Sequence, residues 1–275
     1  MDYTKAFQDG KDTVVTGIKN FDLTQTLDCG QCFRWVGQGW EYTGIAHGRQ
    51  LRLIMSENNL ILKDTSHDEF EYIWKGYFDL GRDYTKIRKL YSTDLSLAAA
   101  TGFSPGLRVM RQDPWETLIT FILSQNSNIP RIKKMIAQLC EHFGKHLPCG
   151  GYAFPTPEVL AKLTSEALAP VKTGYRAPYI IDAACQVAHG KIDLCALESL
   201  PAGEIQKALT NIHGVGPKVA ECVLLYGYGK VERYPVDVWI KRVMDEMYPA
   251  GFPEAFASTA GIAQQYLFHY ARTKK

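Results

Sequence analysis

The chain reads IQKALTNIHGVGPKVAECVLLY over residues 205–226 and RYPVDVWIKRVM over residues 233–244. Two segments of helical character flank the tight turn His213-Gly214-Val215-Gly216. Pro217 then stands at the first position of the second segment, where a helix accepts proline best. The glycines let the backbone turn sharply and bring its N–H groups close to a ligand. Because free N–H groups at a helix start attract anions, this hairpin predicts a phosphate-binding site.

Lys218 lies in the first turn of the second helical segment. The positive end of the helix dipole and burial both disfavour a charged ammonium at this position. An uncharged lysine amine can act as a nucleophile. Asp237 stands just before another helical segment that runs through Met247, where it could serve only as a helix cap. The two residues are nevertheless the candidates for chemistry in this stretch.

The order Gly-Val-Gly-Pro-Lys-Val-Ala, then Pro-Val-Asp-Val, resembles the helix-hairpin-helix-Gly-Pro-Asp superfamily of DNA base-excision glycosylases. Other stretches resemble the 8-oxoguanine DNA glycosylases within it, and the resemblance extends from about Phe21 onward. It implies that Lys218 and Asp237 are catalytic, because the lysine marks the members that also nick the strand. It also implies that Gly214 and Gly216 contact DNA.

Short apolar runs separated by turns fill residues 1 to about 65. The runs include Leu51, Leu53 and Met55, and residues 37–39, 47–49 and 57–59 read as turns. An antiparallel sheet is the simplest interpretation. From Asp68 onward the pattern is helical. We therefore predict an α+β fold with a sheet domain and flanking helices over residues 1–105. A two-part helical domain with the active-site cleft then occupies residues 106–275.

The segment Cys29-Gly30-Gln31-Cys32-Phe33-Arg34-Trp35 contains a Cys-x-x-Cys pair. A structural zinc site usually needs four ligands, and the sequence holds no second such pair, so a metal or redox role is disfavoured. The segment resembles the Gly-Gln-x-Phe-Arg-Trp stretch of 8-oxoguanine glycosylases. That resemblance implies that the Gly30 carbonyl accepts a hydrogen bond from N7–H of the damaged base. A simple turn glycine before a strand is the alternative.

Asp113 is a candidate cap, and Pro114 suits the first position of a helix that is predicted to end within residues 124–128. The next helix is predicted from about Pro130 to Gly144. The turn between them, Gln-Asn-Ser-Asn-Ile-Pro-Arg, resembles the same family. The resemblance implies that the asparagines fill the gap left by an extruded base and that the arginine contacts the orphaned cytosine. The alternative is that both asparagines only cap helices. The matching residues are Asn126, Asn128 and Arg131.

Gly174-Tyr175-Arg176-Ala177 precedes another predicted helix. In the family that this segment resembles, the tyrosine wedges beside the vacated position and the arginine points at the orphaned base. An aromatic wedge that fills a kinked duplex is a known device of minor-groove binding. An exposed loop pair at a helix start is the alternative interpretation of Tyr175 and Arg176.

Three further residues match positions that bind the damaged base in the family. Cys222 lies four residues after Lys218, so the two project from one helix face, and the thiol would flank the base. Gln264 and Phe268 are also four apart, and they would bind the Watson–Crick edge and stack on the base. For Cys222 and Phe268, an ordinary place in the core is the alternative.

Composition sets few limits on the function. The 275 residues fit one large domain or two ordinary ones, and a net charge of +2 says nothing by itself about nucleic acid. Seven scattered cysteines favour a reducing, intracellular setting over a disulfide framework. No signal-like run begins the chain, and no stretch approaches the ~20 apolar residues of a membrane span. We expect a monomer that lies with the DNA, in the cytoplasm or nucleoid of a bacterium or in a eukaryotic nucleus.

The sequence thus predicts an enzyme that excises 8-oxoguanine from duplex DNA, with a preference for cytosine opposite the lesion, and nicks the strand by β-elimination. A lysine Schiff base requires neither a metal nor an organic cofactor. The C-terminal four-cysteine cluster of the superfamily's iron–sulfur branch is not in the sequence. Two alternatives stay open: a monofunctional alkylpurine glycosylase, which would not need Lys218, and a non-enzymatic DNA-binding module, which would need only the glycines. Trp239, where eukaryotic members have histidine, and Ile212-His213, where the family often has Leu-Pro, depart from the pattern.

Overall fold

The computed structural model describes residues 1–148 and 150–274. The predicted α+β class is confirmed, because an antiparallel sheet comes first in the chain and helices follow. Within the described residues six strands form one sheet, in the order β1-β2-β6-β5-β4-β3. Their bounds are β1 (Lys5–Asp9), β2 (Asp12–Thr16), β3 (Trp35–Gln38), β4 (Glu41–Ala46), β5 (Arg49–Ser56) and β6 (Asn59–Leu62).

Alternating burial explains why these segments form a sheet. In β4 every second residue is buried and its neighbours are partly exposed, as expected for a strand that covers the core with one face. Trp35 pairs with Gly44 across β3 and β4, and a Cβ on Gly44 would lie 2.4 Å from the Trp35 ring. Glycine therefore makes room for the indole, whose N–H donates to the Tyr77 hydroxyl at 2.9 Å.

Two details of the sheet domain differ from the sequence prediction. Residues 37 and 38, predicted as a turn, still belong to β3, and the turn follows at Gly39-Trp40. A short helix, Leu23–Leu27, also interrupts the predicted strands. Its N-cap is Asp22, whose side chain accepts a hydrogen bond from the Gln25 N–H at 2.8 Å. Aspartate three residues before that N–H is a capping signal that the strand interpretation did not use.

The remaining helices follow the sheet in chain order. After α1 (Leu23–Leu27) they are α2 (His67–Glu69), α3 (Lys75–Tyr77), α4 (Tyr84–Tyr91), α5 (Leu95–Phe103), α6 (Pro114–Ser124), α7 (Ile129–Phe143), α8 (Pro157–Leu160), α9 (Ala177–Ala188), α10 (Leu194–Leu197), α11 (Ala202–Thr210), α12 (Pro217–Tyr226), α13 (Val238–Met247) and α14 (Ala260–Thr273). Between α2 and α3 the segment Phe70–Trp74 is a π-helix. Short 3₁₀ segments cover Ala169–Val171, Gly174–Arg176 and Glu254–Thr259.

The predicted start of α6 is confirmed in its capping chemistry. Asp113 accepts a hydrogen bond from the Glu116 N–H at 2.8 Å, and Pro114 occupies the first helical position. Helix α6 ends at Ser124 and α7 begins at Ile129, so the predicted inter-helix turn has the expected place in the chain. The apolar residues of both helices face the core, as their spacing indicates.

The described chain divides into two compact units. Unit 1 comprises residues 1–44, 51–111 and 231–274, so the C-terminal helices belong with the N-terminal sheet. Unit 2 comprises residues 45–50 and the described part of 112–230. The predicted division into one domain of residues 1–105 and another of residues 106–275 is not tested by these units and stays a prediction. Among the helices of residues 1–148 and 150–274, none combines the length and apolar character that a membrane crossing requires.

Candidate active site

The hairpin between α11 and α12 in unit 2 has the predicted geometry. Gly216 is the N-cap of α12 and Pro217 its first residue. Gly214 has a φ of +80°, in the region that favours glycine. A Cβ on Gly214 would also lie 2.2 Å from the Tyr179 ring, so the ring closes off the space that a side chain would need. Both the backbone conformation and the packing therefore require glycine at this position.

Lys218 is the second residue of α12 and is half-buried. Its Nζ lies 5.1 Å from the centroid of the Phe121 ring, a cation–π distance. Phe121 is buried and stacks on Tyr226, with centroids 5.3 Å apart and planes 11° apart. This rigid aromatic pair restricts where the lysine can point. Cys222, one turn further along α12, is buried, so its thiol borders the core at the same helix.

The turn between α6 and α7 combines a strained residue with a cap. Asn126 is exposed and has a φ of +46°, a conformation that asparagine tolerates better than most residues. Asn128 caps α7, because its side chain accepts a hydrogen bond from the Arg131 N–H at 3.0 Å. Capping is thus one role of Asn128, and the alternative that it has no other role stays untested. Arg131, the third residue of α7, is exposed. The predicted contacts of these residues with DNA stay predictions.

Arg176 is buried, with 2% of its surface exposed. Its Nε donates to the Gln125 carbonyl at 2.9 Å, and Nη2 donates to the same carbonyl and, at 3.1 Å, to that of Asn126. Nη1 donates to the Thr173 carbonyl at 3.0 Å. Tyr175 is 51% exposed, and the guanidinium lies 4.5 Å from its ring centroid. The alternative of an exposed loop pair is therefore wrong for Arg176, because backbone carbonyls surround its charge.

In unit 1, the loop after α1 holds Gly30 with a φ of +94°. The buried residues on either side fix it. The Cys29 thiol donates to the Thr26 carbonyl, with Sγ and O 3.2 Å apart. The Gln31 amide donates to the carbonyls of Thr26 at 2.9 Å and Arg108 at 2.7 Å. Burial raises the pKa of the Cys29 thiol to about 11, so it stays protonated and is a poor metal ligand at neutral pH.

Helix α14 carries the predicted base-binding pair. Gln264 is buried, whereas Phe268 is partly exposed and faces the Arg272 guanidinium 5.6 Å from its ring centroid. The neighbouring Gln265 is buried and donates from Nε2 to the Cys29 carbonyl at 3.2 Å. This hydrogen bond brings the Gly30 loop and α14 together within unit 1. The sequence analysis did not single out Gln265, whose only signal is its place beside Gln264.

Asp237 caps α13, as its position before the helix predicts. Its Oδ1 accepts hydrogen bonds from the N–H groups of Trp239 at 3.0 Å and Ile240 at 2.8 Å. Both bonds involve one carboxylate oxygen, so the cap does not require Oδ2. Trp239, the departure from the eukaryotic pattern, has the Arg242 guanidinium 5.3 Å from its ring centroid. An aromatic–arginine pair therefore lies within the first two turns of this helix.

The structure brings several predicted residues together inside each unit. In unit 2 the turn of Asn126, the Tyr175–Arg176 segment and the hairpin at Gly214 meet around Gln125. In unit 1 the Gly30 loop meets α14. Lys218 belongs to unit 2 and Asp237 to unit 1. The sequence analysis missed Gln125, Phe121 and Tyr179, because their contacts join segments far apart in the chain.

Two protein families match consecutive parts of the chain. Residues 13–118 match the 8-oxoguanine DNA glycosylase, N-terminal domain, family. Residues 119–253 match the HhH-GPD superfamily of base excision DNA repair proteins. The second match contains Lys218 and Asp237, and the first contains Gly30.

Relatives and solved structures agree with these families. The N-glycosylase/DNA lyase of Saccharomyces cerevisiae is 32% identical over 260 residues, covering 82% of this chain and 68% of the yeast protein. The structure of MBOgg1 with a low-affinity DNA ligand has 42% identity, a TM-score of 0.94 and covers 100% of this chain and 99% of that one. Clostridium acetobutylicum 8-oxoguanine glycosylase/lyase, solved on double-stranded DNA with cytosine opposite 8-oxoguanine, has 37% identity, a TM-score of 0.94 and the same two coverages.

Proposed function

Since this chain belongs to the 8-oxoguanine N-glycosylase/DNA lyase family of base-excision repair enzymes, we propose that it flips 8-oxoguanine out of duplex DNA, excises it through a lysine Schiff base and then nicks the strand. Such an enzyme cannot reach the sugar–base bond inside the stack, so the nucleotide must leave the duplex first. The observation that carries the proposal is the place of Lys218 directly after the Gly-Val-Gly-Pro turn, at the start of α12.

Lys218 attacks C1′ of the lesion nucleotide with its Nζ lone pair. The C1′–N9 bond breaks, and its electrons leave with the base, which takes up a proton. The attached nitrogen then loses a proton and forms a double bond to C1′ while the C1′–O4′ bond breaks, so that the sugar ring opens, O4′ becomes a hydroxyl and a Schiff base joins Lys218 to C1′. Loss of a proton from C2′ then expels the 3′ phosphate by β-elimination. The half-buried position of Lys218 and its contact with the Phe121 ring support this role, because they hold the amine in a narrow range of directions. The chemistry calls for no metal and no organic cofactor.

Asp237 stabilises the positive charge that develops on the sugar as the base leaves. A fixed carboxylate is suited to this role because its position is set before the reaction. The two α13 hydrogen bonds to Oδ1 provide that fixation. The cap and the catalytic role are therefore compatible in one side chain.

The proposal gives four residues a role in binding the extruded base. The Gly30 carbonyl accepts N7–H, which 8-oxoguanine has and guanine lacks. Gln264 bonds the Watson–Crick edge, Phe268 stacks on the ring, and Cys222 packs against the base. The burial of Gln264 supports its role, because a buried amide binds a base edge without competition from water.

Cytosine opposite the lesion is the preferred partner base. Asn126 and Asn128 fill the gap in the duplex, Tyr175 wedges beside it, and Gly214 and Gly216 present N–H groups to phosphate. Arg131 is exposed and can offer its donors to O2 and N3 of cytosine. Arg176 already donates four hydrogen bonds to backbone carbonyls, so one N–H of its five is left for a base. Arg131 is therefore the main specificity residue of this pair.

Borohydride trapping tests the proposal directly. Enzyme and an 8-oxoguanine duplex are mixed with sodium borohydride, which reduces a Schiff base to a stable link between protein and DNA. We expect a covalent complex with the wild type and none with Lys218→Gln, which should keep lesion binding because the substitution removes only the nucleophile. Substantial trapping by the variant would overturn the assignment of Lys218.

Lys172→Gln, at an exposed lysine of unit 2, is the matched control and should trap like the wild type. Base release without any trapping by the wild type would indicate a monofunctional glycosylase. DNA binding with neither release nor trapping would indicate a binding module.

A further inference from the structure

Three segments proposed to contact DNA converge in unit 2 on one residue to which the proposed function gives no role. Gln125 follows the last residue of α6. Its backbone carbonyl accepts hydrogen bonds from the Arg176 guanidinium and, at 3.4 Å, from the Tyr175 hydroxyl. Its side-chain amide donates from Nε2 to the Gly214 carbonyl at 3.0 Å. Gln125 thus bonds the wedge segment through its main chain and the hairpin through its side chain.

Tyr179 closes the same cluster from the side of α9. Its ring packs edge-on against His213 at a centroid distance of 4.7 Å and against Tyr175 at 6.0 Å. The His213 N–H donates to the Asp182 carboxylate at 2.8 Å. The hairpin is therefore held against α9 by packing and by a charge-assisted hydrogen bond, whereas a hydrogen bond from the Gln125 amide joins it to the α6–α7 turn.

The backbone conformation of Asn126 costs free energy, which other interactions of the turn must offset. A left-handed φ of +46° at a residue other than glycine is unfavourable in isolation. The Asn126 carbonyl is held by Arg176, whose other donors hold Gln125, so the two carbonyls fix the turn from one side. The Gln125 side chain fixes it from the other side. Together these hydrogen bonds restrict the backbone that carries the exposed side chain of Asn126.

We propose that Gln125 is a positioning residue: it sets the Asn126 turn, the Tyr175–Arg176 segment and the Gly214 hairpin in one arrangement that matches a duplex with an empty base position. This inference rests on the proposed function for the DNA contacts of those segments. The inference adds Gln125 as the residue that joins the three segments, and it predicts that the three segments bind DNA as a unit. Gln125 itself need not touch the reacting atoms.

The test compares Gln125→Met with the wild type. Methionine keeps the length and volume of the side chain but cannot donate to Gly214. Gln50→Met, at an exposed glutamine of β5 in the same unit, controls for the introduced methionine. In the DNA-free proteins, amide hydrogen exchange should be faster in Gln125→Met over residues 125–128 and 212–216, while the thermal midpoint stays within about 3 °C, because a partly exposed hydrogen bond is worth little to global stability.

Binding is measured on a duplex with a tetrahydrofuran abasic analogue opposite cytosine and on an undamaged duplex. Gln125→Met should bind the abasic duplex about 2- to 10-fold more weakly, the scale of one hydrogen bond. Affinity for undamaged DNA should change less than about 2-fold, because that binding is mainly electrostatic. In the Asn126→Ala background the Gln125→Met substitution should have little further effect, since residues acting through one another are not additive.

The outcomes separate this inference from the proposed function. Unchanged exchange in both segments would overturn the positioning role, whatever the affinities. Faster exchange with unchanged abasic-duplex affinity would overturn the DNA role of the segments and leave the hydrogen bond as a local structural feature. Fully additive effects of Gln125→Met and Asn126→Ala would show that the segments act independently. Borohydride trapping by the wild type tests the Schiff base separately from these measurements on Gln125→Met.

Discussion

Gln265 donates a hydrogen bond from Nε2 to the main-chain carbonyl of Cys29 at 3.2 Å, although the two residues lie far apart in the chain. The carbonyl next along the backbone belongs to Gly30, the proposed acceptor for the damaged base. Because the Cys29 carbonyl has a partner in α14 and the Gln31 side chain bonds Thr26 and Arg108, the peptide units around Gly30 are held from both sides. A rigid Gly30 carbonyl distinguishes N7–H of 8-oxoguanine from the N7 lone pair of guanine better than a mobile carbonyl would.

The Gly30 carbonyl predicts a specific ligand dependence. DNA that carries 7-deaza-8-oxoguanine, with C–H in place of N7–H, should bind at least tenfold more weakly than 8-oxoguanine DNA. One unsatisfied buried acceptor costs about 1–3 kcal/mol, which gives about ten- to hundredfold discrimination. Lys218→Gln allows the affinities to be measured by titration without turnover. Equal affinity for the two duplexes would show that the protein does not recognise N7–H and that Gly30 is only a turn glycine.

Asp237→Asn separates the cap from the charge. Asparagine keeps an oxygen for the N–H groups of Trp239 and Ile240 but has no negative charge. Single-turnover excision should fall about 10²- to 10³-fold, the usual loss for one electrostatic stabiliser. The free energy of unfolding in urea should change by less than about 1 kcal/mol, because asparagine caps as well as aspartate. A destabilised variant with full activity would mean that Asp237 is only a cap.

The two arginines of the orphan-base prediction should respond differently to substitution. Arg131 is exposed, so Arg131→Ala should leave stability nearly unchanged but reduce the preference for cytosine over adenine opposite the lesion. Arg176→Met removes a buried guanidinium from three carbonyls and should lower the free energy of unfolding by about 1–3 kcal/mol. Excision opposite cytosine and opposite adenine, together with unfolding in urea, is measured for both variants and for the wild type. Equal excision opposite all four bases by the wild type would refute the specificity role.

His269 predicts a pH dependence of stability. Burial, and then the positive charge of Arg272, lower the pKa of this imidazole from 6.5 to about 4. Between these values the unfolded chain binds a proton that the folded chain does not, so stability must fall as the pH decreases from 6.5 towards 4. The drop in thermal midpoint from pH 7.5 to 5.5 should be smaller in His269→Gln than in the wild type. His189→Gln, at an exposed histidine, should behave like the wild type; equal drops in all three proteins would contradict the prediction.

Local signals were sufficient for the hairpin, for the caps at Asp113 and Asp237, and for the order of sheet and helices. Each depends on a few neighbouring residues whose backbone preferences agree: glycine for a positive φ, proline for a first helical turn, aspartate for an open N–H. The short helix α1 was missed because its five residues lack an apolar period long enough to distinguish it from a strand.

Long-range contacts explain what could not be predicted. The burial of Arg176 depends on carbonyls about 50 positions away in the chain, and the hydrogen bond from Gln265 to Cys29 joins residues that are 236 positions apart. No periodicity or motif encodes such pairs. The buried arginine was unexpected for the same reason, since arginine is rarely buried unless acceptors surround it, and those acceptors were main-chain atoms without a sequence signature.

The hydrogen-bonded thiol of Cys29 has a consequence for chemical durability. Guanine is oxidised to 8-oxoguanine by the same kinds of oxidant that attack cysteine, and the reactive form of cysteine is the exposed thiolate. Cys29 is fully buried and, with its pKa raised to about 11, protonated, while the neighbouring Cys32 is also buried and donates to the Leu27 carbonyl at 3.3 Å. The loop that holds Gly30 should therefore keep its shape in peroxide concentrations that create the lesion, so that repair capacity persists while damage is being formed.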